Sequence, residues 1–120
     1  MPRRGRLSRS AEFDRIFRQG RSHGNRFLVL YAFPRPGAEP PRLGLSVSRK
    51  VGGAVDRNRV KRLVREAFWA RMDGREVGHD VVVVARPAAR ELAEREGLAG
   101  IVGALDELLG KAGLVGEAAA

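Results

Sequence analysis

A chain of 120 residues, 43% hydrophobic and 31% charged, can bury one modest core and leaves no room for two independent domains. Its formal net charge of +9 and sequence pI near 11.4 set it apart from an ordinary globular surface and point to nucleic acid as partner. With zero cysteines there is no disulfide frame, no thiolate metal site and no cysteine nucleophile; a reducing cytoplasm is permitted.

The charge is unevenly placed. Residues 1–71 hold 18 basic and 5 acidic side chains, net +13, whereas residues 72–120 hold 5 and 9, net −4, so the binding surface belongs to the first part. Arginine outnumbers lysine 20 to 3. Guanidinium suits bidentate phosphate contacts and stacking on bases, although a GC-rich genome would give the same bias. The start MPRRGRLSRS lacks the apolar stretch of a signal peptide and no run approaches transmembrane length, so a cytoplasmic protein is expected. An anionic membrane is the weaker rival partner, because it needs a basic helix whose apolar face is free.

In chain order, residues 1–9 carry Arg3, Arg4, Arg6 and Arg9 among glycine and proline and read as a flexible basic arm. Ser10 can cap a short helix with Phe13, Ile16 and Phe17 on one face, ended by Gly20. Spacing alone favours core packing for the two phenylalanines over ligand contact. Residues 27–33 form a strand apolar on both faces, Phe27, Val29, Tyr31 and Phe33 against Leu28, Leu30 and Ala32. The proline-rich stretch 34–42 cannot continue a ladder and is a surface loop. From Leu43 to Arg49 the chain alternates. Leu43, Leu45 and Val47 point one way; Gly44, Ser46 and Ser48 make a small polar face that is either the floor of a groove for a sugar-phosphate strand or a partly solvated sheet surface.

After the turn Val51-Gly52-Gly53, Asp56 reads as the N-cap of a helix whose stripe is Val60, Leu63, Val64, Ala67 and Phe68. Arg57, Lys61 and Arg65, four apart, run along one flank, which Asn58, Arg62 and Trp69 extend towards solvent, while Arg59 lies on the far side. Five basic residues in nine positions can be a solvated face. Here no acidic residue lies between Arg57 and Arg65 to relieve the repulsion, and an anionic partner would. Residues 80–86, with Val81 to Val84, read as a central, parallel strand buried on both faces. A short polar helix or turn follows over 87–96. A last helix from Leu98 presents Ile101, Val102, Leu105, Leu108 and Leu109, and a disordered tail is expected after Gly113.

The run Val51-Gly52-Gly53-Ala54-Val55 followed by Arg57-Asn58-Arg59-Val60-Lys61-Arg62 resembles the arginine-asparagine-arginine signature of the bacterial ribonuclease P protein subunit. The Phe13/Phe17 helix, the Phe-x-Val-Leu-Tyr strand, the Gly-Leu-Ser-Val-Ser strand and the late valine strand occur in that family's order, over roughly residues 5 to 110. Gly53, where the family usually has asparagine, and Asp56 beside the signature are departures. The resemblance implies an α+β fold, a compact α/β sandwich of a four-stranded mixed sheet and three helices with a left-handed βαβ crossover. The expected organisation is an arm over 1–9, one RNA-binding domain over 10–113 and a tail over 114–120.

It further implies a subunit that assists a catalytic RNA in removing the 5′ leader of precursor tRNA, with magnesium held mainly by the RNA and no obligate protein partner. Arg49, Lys50, Arg57, Asn58, Arg59, Lys61, Arg62 and Arg65 would contact the catalytic RNA. Phe13, Phe17, Tyr31, Ser46 and Ser48 would hold the leader, aromatic faces stacking on bases. Without the resemblance, a ribosomal or RNA-chaperone protein is the alternative, and behind it a self-sufficient metal nuclease. The residues disfavour the last: His23 and His79 sit among glycines in expected loops, only Asp80 beside His79 is suggestive, and no HExxH, GxSxG or phosphate loop occurs. No catalytic or metal-ligating residue is assigned.

Overall fold

The structure is a computed structural model that describes residues 5–37, 39–75 and 78–115. In chain order the elements are β1 (Gly5–Arg6), α1 (Ser10–Gln19), β2 (Arg21–Gly24), β3 (Leu28–Pro34), β4 (Arg42–Ser46), α2 (Ala54–Met72), β5 (His79–Ala85) and α3 (Ala88–Lys111). The strands form one mixed sheet of order β1-β4-β5-β3-β2, with β4 parallel to β1 and β5, and β3 antiparallel to β5 and β2. The expected α+β sandwich is present, with five strands among the described residues where four were expected.

Alternation along the strands divides the core. Leu28, Leu30, Ala32, Leu43, Val81 and Val83 face α2 and α3, whose Val60, Leu63, Val64, Ala67, Phe68, Ile101, Leu105, Leu108 and Leu109 are all buried against them. On the other face Val82 packs with Leu7 and with Ile16 of α1, flanked by Phe13, Tyr31, Phe33 and Val84. Central β5, buried at five of seven positions, needs the continuous valine run that a strand covered on both sides requires.

Several local expectations shift. Gly5 and Arg6 belong to the sheet and Leu7 is buried, so the arm expected over 1–9 is curtailed; residues 1–4 lie outside the described residues. Arg9, not Ser10, is the N-cap of α1, its carbonyl accepting from the Glu12 and Phe13 N–H groups. Helix α2 starts at Ala54 with Gly53 as N-cap, because the Gly53 carbonyl already accepts the Arg57 N–H at 2.9 Å. Asp56 therefore sits inside the first turn, where it offsets the dipole and faces Arg59 at 3.9 Å and Arg90 at 3.6 Å.

Trp69 is buried, its ring edge-on to Phe68 at 4.9 Å, rather than turned to solvent. β4 ends at Ser46, which leaves Val47, Ser48 and Arg49 in the turn. His23 and His79 lie in β2 and β5, not in loops. The helix expected from Leu98 joins the preceding one through a kink at Gly97 (φ 58°, ψ −142°). Leu114 and Val115, expected in the tail, are buried, and residues 116–120 lie outside the described residues.

Candidate RNA interface

The α1 face of the sheet carries the aromatic residues. Phe17 meets Tyr31 edge-on at 4.9 Å and Phe13 at 6.1 Å. The spacing of four residues places both phenylalanines on the same side of α1, and β3 brings Tyr31 beneath them. Phe13 lies so close over Gly44 that a Cβ there would stand 2.7 Å from its ring, so glycine is what lets the helix descend onto β4. Ile16 is fully buried whereas Phe17 keeps 38% of its surface exposed, so one helical turn splits between anchoring and presentation.

Register sets the rest of this face. Gly44, Val82 and Tyr31 lie in one row across β4, β5 and β3, and the next row, Ser46, Val84 and Val29, is only half buried. That second row is a half-buried shelf next to the row of Tyr31, the residue that Phe17 meets. The structure thus brings Phe13, Phe17, Tyr31 and Ser46 to one face. Ser48 stands apart in the turn, exposed, its hydroxyl accepting the Lys50 N–H at 3.3 Å. Val29 and Val84 were missed as shelf residues, although their alternation with Leu28, Leu30 and Val83 was the signal that could have placed them.

An ionic cluster holds α1 in place. Asp80, with no exposed surface, receives two bonds of 2.7 Å from Arg42 and lies 2.9 Å from Arg35 Nε and 3.9 Å from Arg15 of α1. Arg42 also reaches Glu12 of α1 at 3.1 Å, and the Arg15 guanidinium stands 5.3 Å from the Phe33 ring. Hydrogen bonding to Asp80 is foremost in holding the Arg42 pKa above its usual value, against the opposing effect of burial. The one carboxylate that sequence placed beside a histidine is therefore committed to arginines. Its partners, far apart in the chain, carried no signal in the sequence.

On the opposite side α2 presents charge. Asn58, Arg62 and Arg65 are exposed, Arg57, Arg59 and Lys61 half buried, and Arg57 Nε is buried without a hydrogen-bond partner. Arg59 is paired, loosely, with Asp56; Arg57, Lys61, Arg62 and Arg65 make no ion pair among the described residues. Arg49 and Lys50 are exposed in the turn that leads into α2, and Val55 in its first turn is 73% exposed beside them. Three acidic residues of α3 are instead tied to arginines, Glu94 to Arg90, Glu91 to Arg95, and Asp106 to Arg71 of α2 at 3.0 Å. The cations of α2 without an ion pair among the described residues, Arg57, Lys61, Arg62 and Arg65, therefore concentrate positive potential along this flank.

Known proteins share this arrangement. The family model described as Ribonuclease P matches residues 1–112. The ribonuclease P protein component of Bacillus pumilus is 43% identical over 96 residues, 80% of this chain and 81% of that one; its counterpart in Clostridium novyi is 37% identical over 115 residues, 95% and 98%. The solved ribonuclease P protein of Staphylococcus aureus superposes with a TM-score of 0.80 at 34% identity, covering 92% of this chain and 96% of that one. That of Thermotoga maritima gives 0.78 at 34%, covering 90% and 97%. A match over nearly the whole chain, on a fold that pairs the signature helix with an aromatic sheet face, leaves one conclusion: the chain belongs to the ribonuclease P protein family, and serves as the protein component of that tRNA-processing ribonucleoprotein endonuclease.

Proposed function

We propose that the two faces divide the labour of the holoenzyme. The flank of α2 with Arg57, Asn58, Arg59, Lys61, Arg62 and Arg65, extended by Arg49 and Lys50, grips the catalytic RNA, while Phe13, Phe17, Tyr31 and Ser46, with Ser48 at the rim, hold the 5′ leader of precursor tRNA. The observation that carries this reading is the half-exposed aromatic group beside a shelf only one row wide. The unstacked bases of a single strand can stack on aromatic rings exposed in this way. In this reading the magnesium that activates water for hydrolysis is held by the RNA subunit. Among the described residues no three His, Cys, Asp or Glu side chains converge where a metal could sit. Work in the cytoplasm is part of the same reading, and among the described residues no helix is long and apolar enough to cross a membrane.

Precursor tRNA incubated with the protein, with the catalytic RNA, and with both tests the whole reading. Cleavage is expected only where the RNA is present, and the protein strengthens it for substrates that carry a leader. Cleavage by the protein alone overturns the division of labour. Arg62→Ala removes an exposed, unpaired cation and is expected to weaken assembly with the RNA by about 1.5 to 3 kcal/mol while the melting temperature holds.

A further inference from the structure

A cleft of about 320 Å³ opens at the β1 edge of the sheet, between β1, β4 and the flank of α2. Leu43, Leu45 and the Trp69 ring line it together with Arg6, Lys61 and Arg65. Leu43 and Leu45 alternate with Gly44 and Ser46, so this cleft lies on the side of the sheet opposite the aromatic face. Its volume falls at the small end of ligand sites, roughly 300 to 1,000 Å³. At about 30 Å³ per water it holds on the order of ten solvent molecules, far more than a packing void.

Two features select the occupant. Arg6, Lys61 and Arg65 make no ion pair among the described residues, so three cations share one cleft without a carboxylate, and an anion relieves their repulsion. One side of the cleft is apolar: Leu43 and Trp69, 5% and 6% exposed, are held by the core and Leu45 stands beside them, so a flat apolar body can displace water there without repacking them. A nucleotide joins an anion to a planar ring and so satisfies both features, and it is the form in which an RNA strand on α2 would supply them. A bare phosphate would satisfy the cations and leave the wall wet. The cleft is also continuous with the row Arg57, Lys61, Arg65, which delivers a phosphate backbone to its mouth.

We propose that this cleft is a nucleotide pocket that captures one unpaired nucleotide of an RNA strand running along α2. The proposal rests on the reading of α2 as RNA-binding and adds to it a site for a single base. Phosphates on both sides of that nucleotide pair with Arg6, Lys61 and Arg65, and the base lies against Leu45 and the Trp69 edge.

Trp69 is the single tryptophan of the chain, so its emission reports on the cleft directly. The experiment titrates the full-length protein with a short unpaired oligoribonucleotide, an abasic strand of the same length, adenosine monophosphate and inorganic phosphate. The oligonucleotide is expected to shift Trp69 emission at about tenfold lower concentration than adenosine monophosphate, since neighbouring phosphates add contacts, and the abasic strand and phosphate are expected to leave it unchanged. Lys61→Ala with Arg65→Ala raises the concentration needed by about tenfold or more, with the circular-dichroism melt checking that the variant is folded. Arg95→Ala, on the exposed face of α3 and outside the cleft, leaves the response to the mononucleotide as it was.

Equal responses to phosphate and nucleotide, or to the abasic and intact strands, overturn the base site. A mononucleotide that binds as tightly as the strand overturns RNA as its source. Assembly with the catalytic RNA while Trp69 stays silent overturns the pocket and leaves the reading of α2 standing. Absence of assembly overturns both.

Discussion

Asp80 is a charge with no exposed surface, kept in the sheet only because arginines from β4 and from the β3 end surround it. Removing one partner of such a group leaves the others uncompensated, so Asp80→Ala is expected to cost about 3 to 5 kcal/mol of stability by urea denaturation. A loss below about 1 kcal/mol would place the pair with exposed salt bridges instead. Because the Arg42 pKa is raised in the fold, its contribution is present below the unfolded value and lost only as pH rises through the still higher folded one. Arginine ionises so late that stability from this pair is flat across working pH. Neighbours in α1 separate cleanly. Ile16→Ala, at a fully buried site, should lower stability by about 2 to 5 kcal/mol. Phe17→Ala, at a partly exposed one, should leave the melt nearly unchanged and weaken substrate with a leader by about 1 to 3 kcal/mol, leaderless product being held as before. A Phe17 variant that melts early and binds both RNAs equally badly would return this ring to the core.

At the scale of elements, α3 is two helical segments joined where Gly97 adopts φ 58° and ψ −142°, a conformation costly for any side chain. Gly97→Ala meets no neighbouring atom, so whatever it costs is backbone strain alone, of order 1 to 3 kcal/mol in a thermal or denaturant melt. No loss would mean that the kink relaxes into a straight helix. The break was legible in sequence because glycine interrupts the apolar period there. The stripe of α2 was legible for the same local reason, and Val60, Leu63, Val64, Ala67 and Phe68 are all buried. β1 and β2 were not. Gly-Arg and Arg-Ser-His-Gly carry no strand preference, and they become strands because β4 and β3 offer them open edges. Even the β2–β3 turn is fixed remotely as well as locally: Asn25 Oδ1 accepts from Phe27 and Leu28, while its amide donates to the Ala104 carbonyl and Glu107 of α3. In the candidate site, alternation gave away which residues share a face. The meeting of Phe17 with Tyr31 and the sequestering of Asp80 depend on contacts between distant parts of the chain, which no periodicity encodes.

For the molecule as a whole, the proposed division of labour makes the sheet a partition, with leader and catalytic RNA on different sides and both drawn by the same positive field. If about six phosphates are neutralised on assembly, the logarithm of affinity should fall with that of salt at a slope of roughly −4 to −5. A nearly flat titration would remove the electrostatic account of α2. The margins of that partition bear on the protein before it finds its RNA. A sheet ends in unpaired N–H and C=O groups that invite another chain to add a strand. Among the described residues the two outer strands are two and four residues long, and each carries an arginine, Arg6 on one margin and Arg21 on the other. Like charges meet whenever two copies approach edge to edge, and neither margin offers a ladder long enough to template fibre growth. Newly made protein can thus wait in excess over its RNA without aggregating through its sheet.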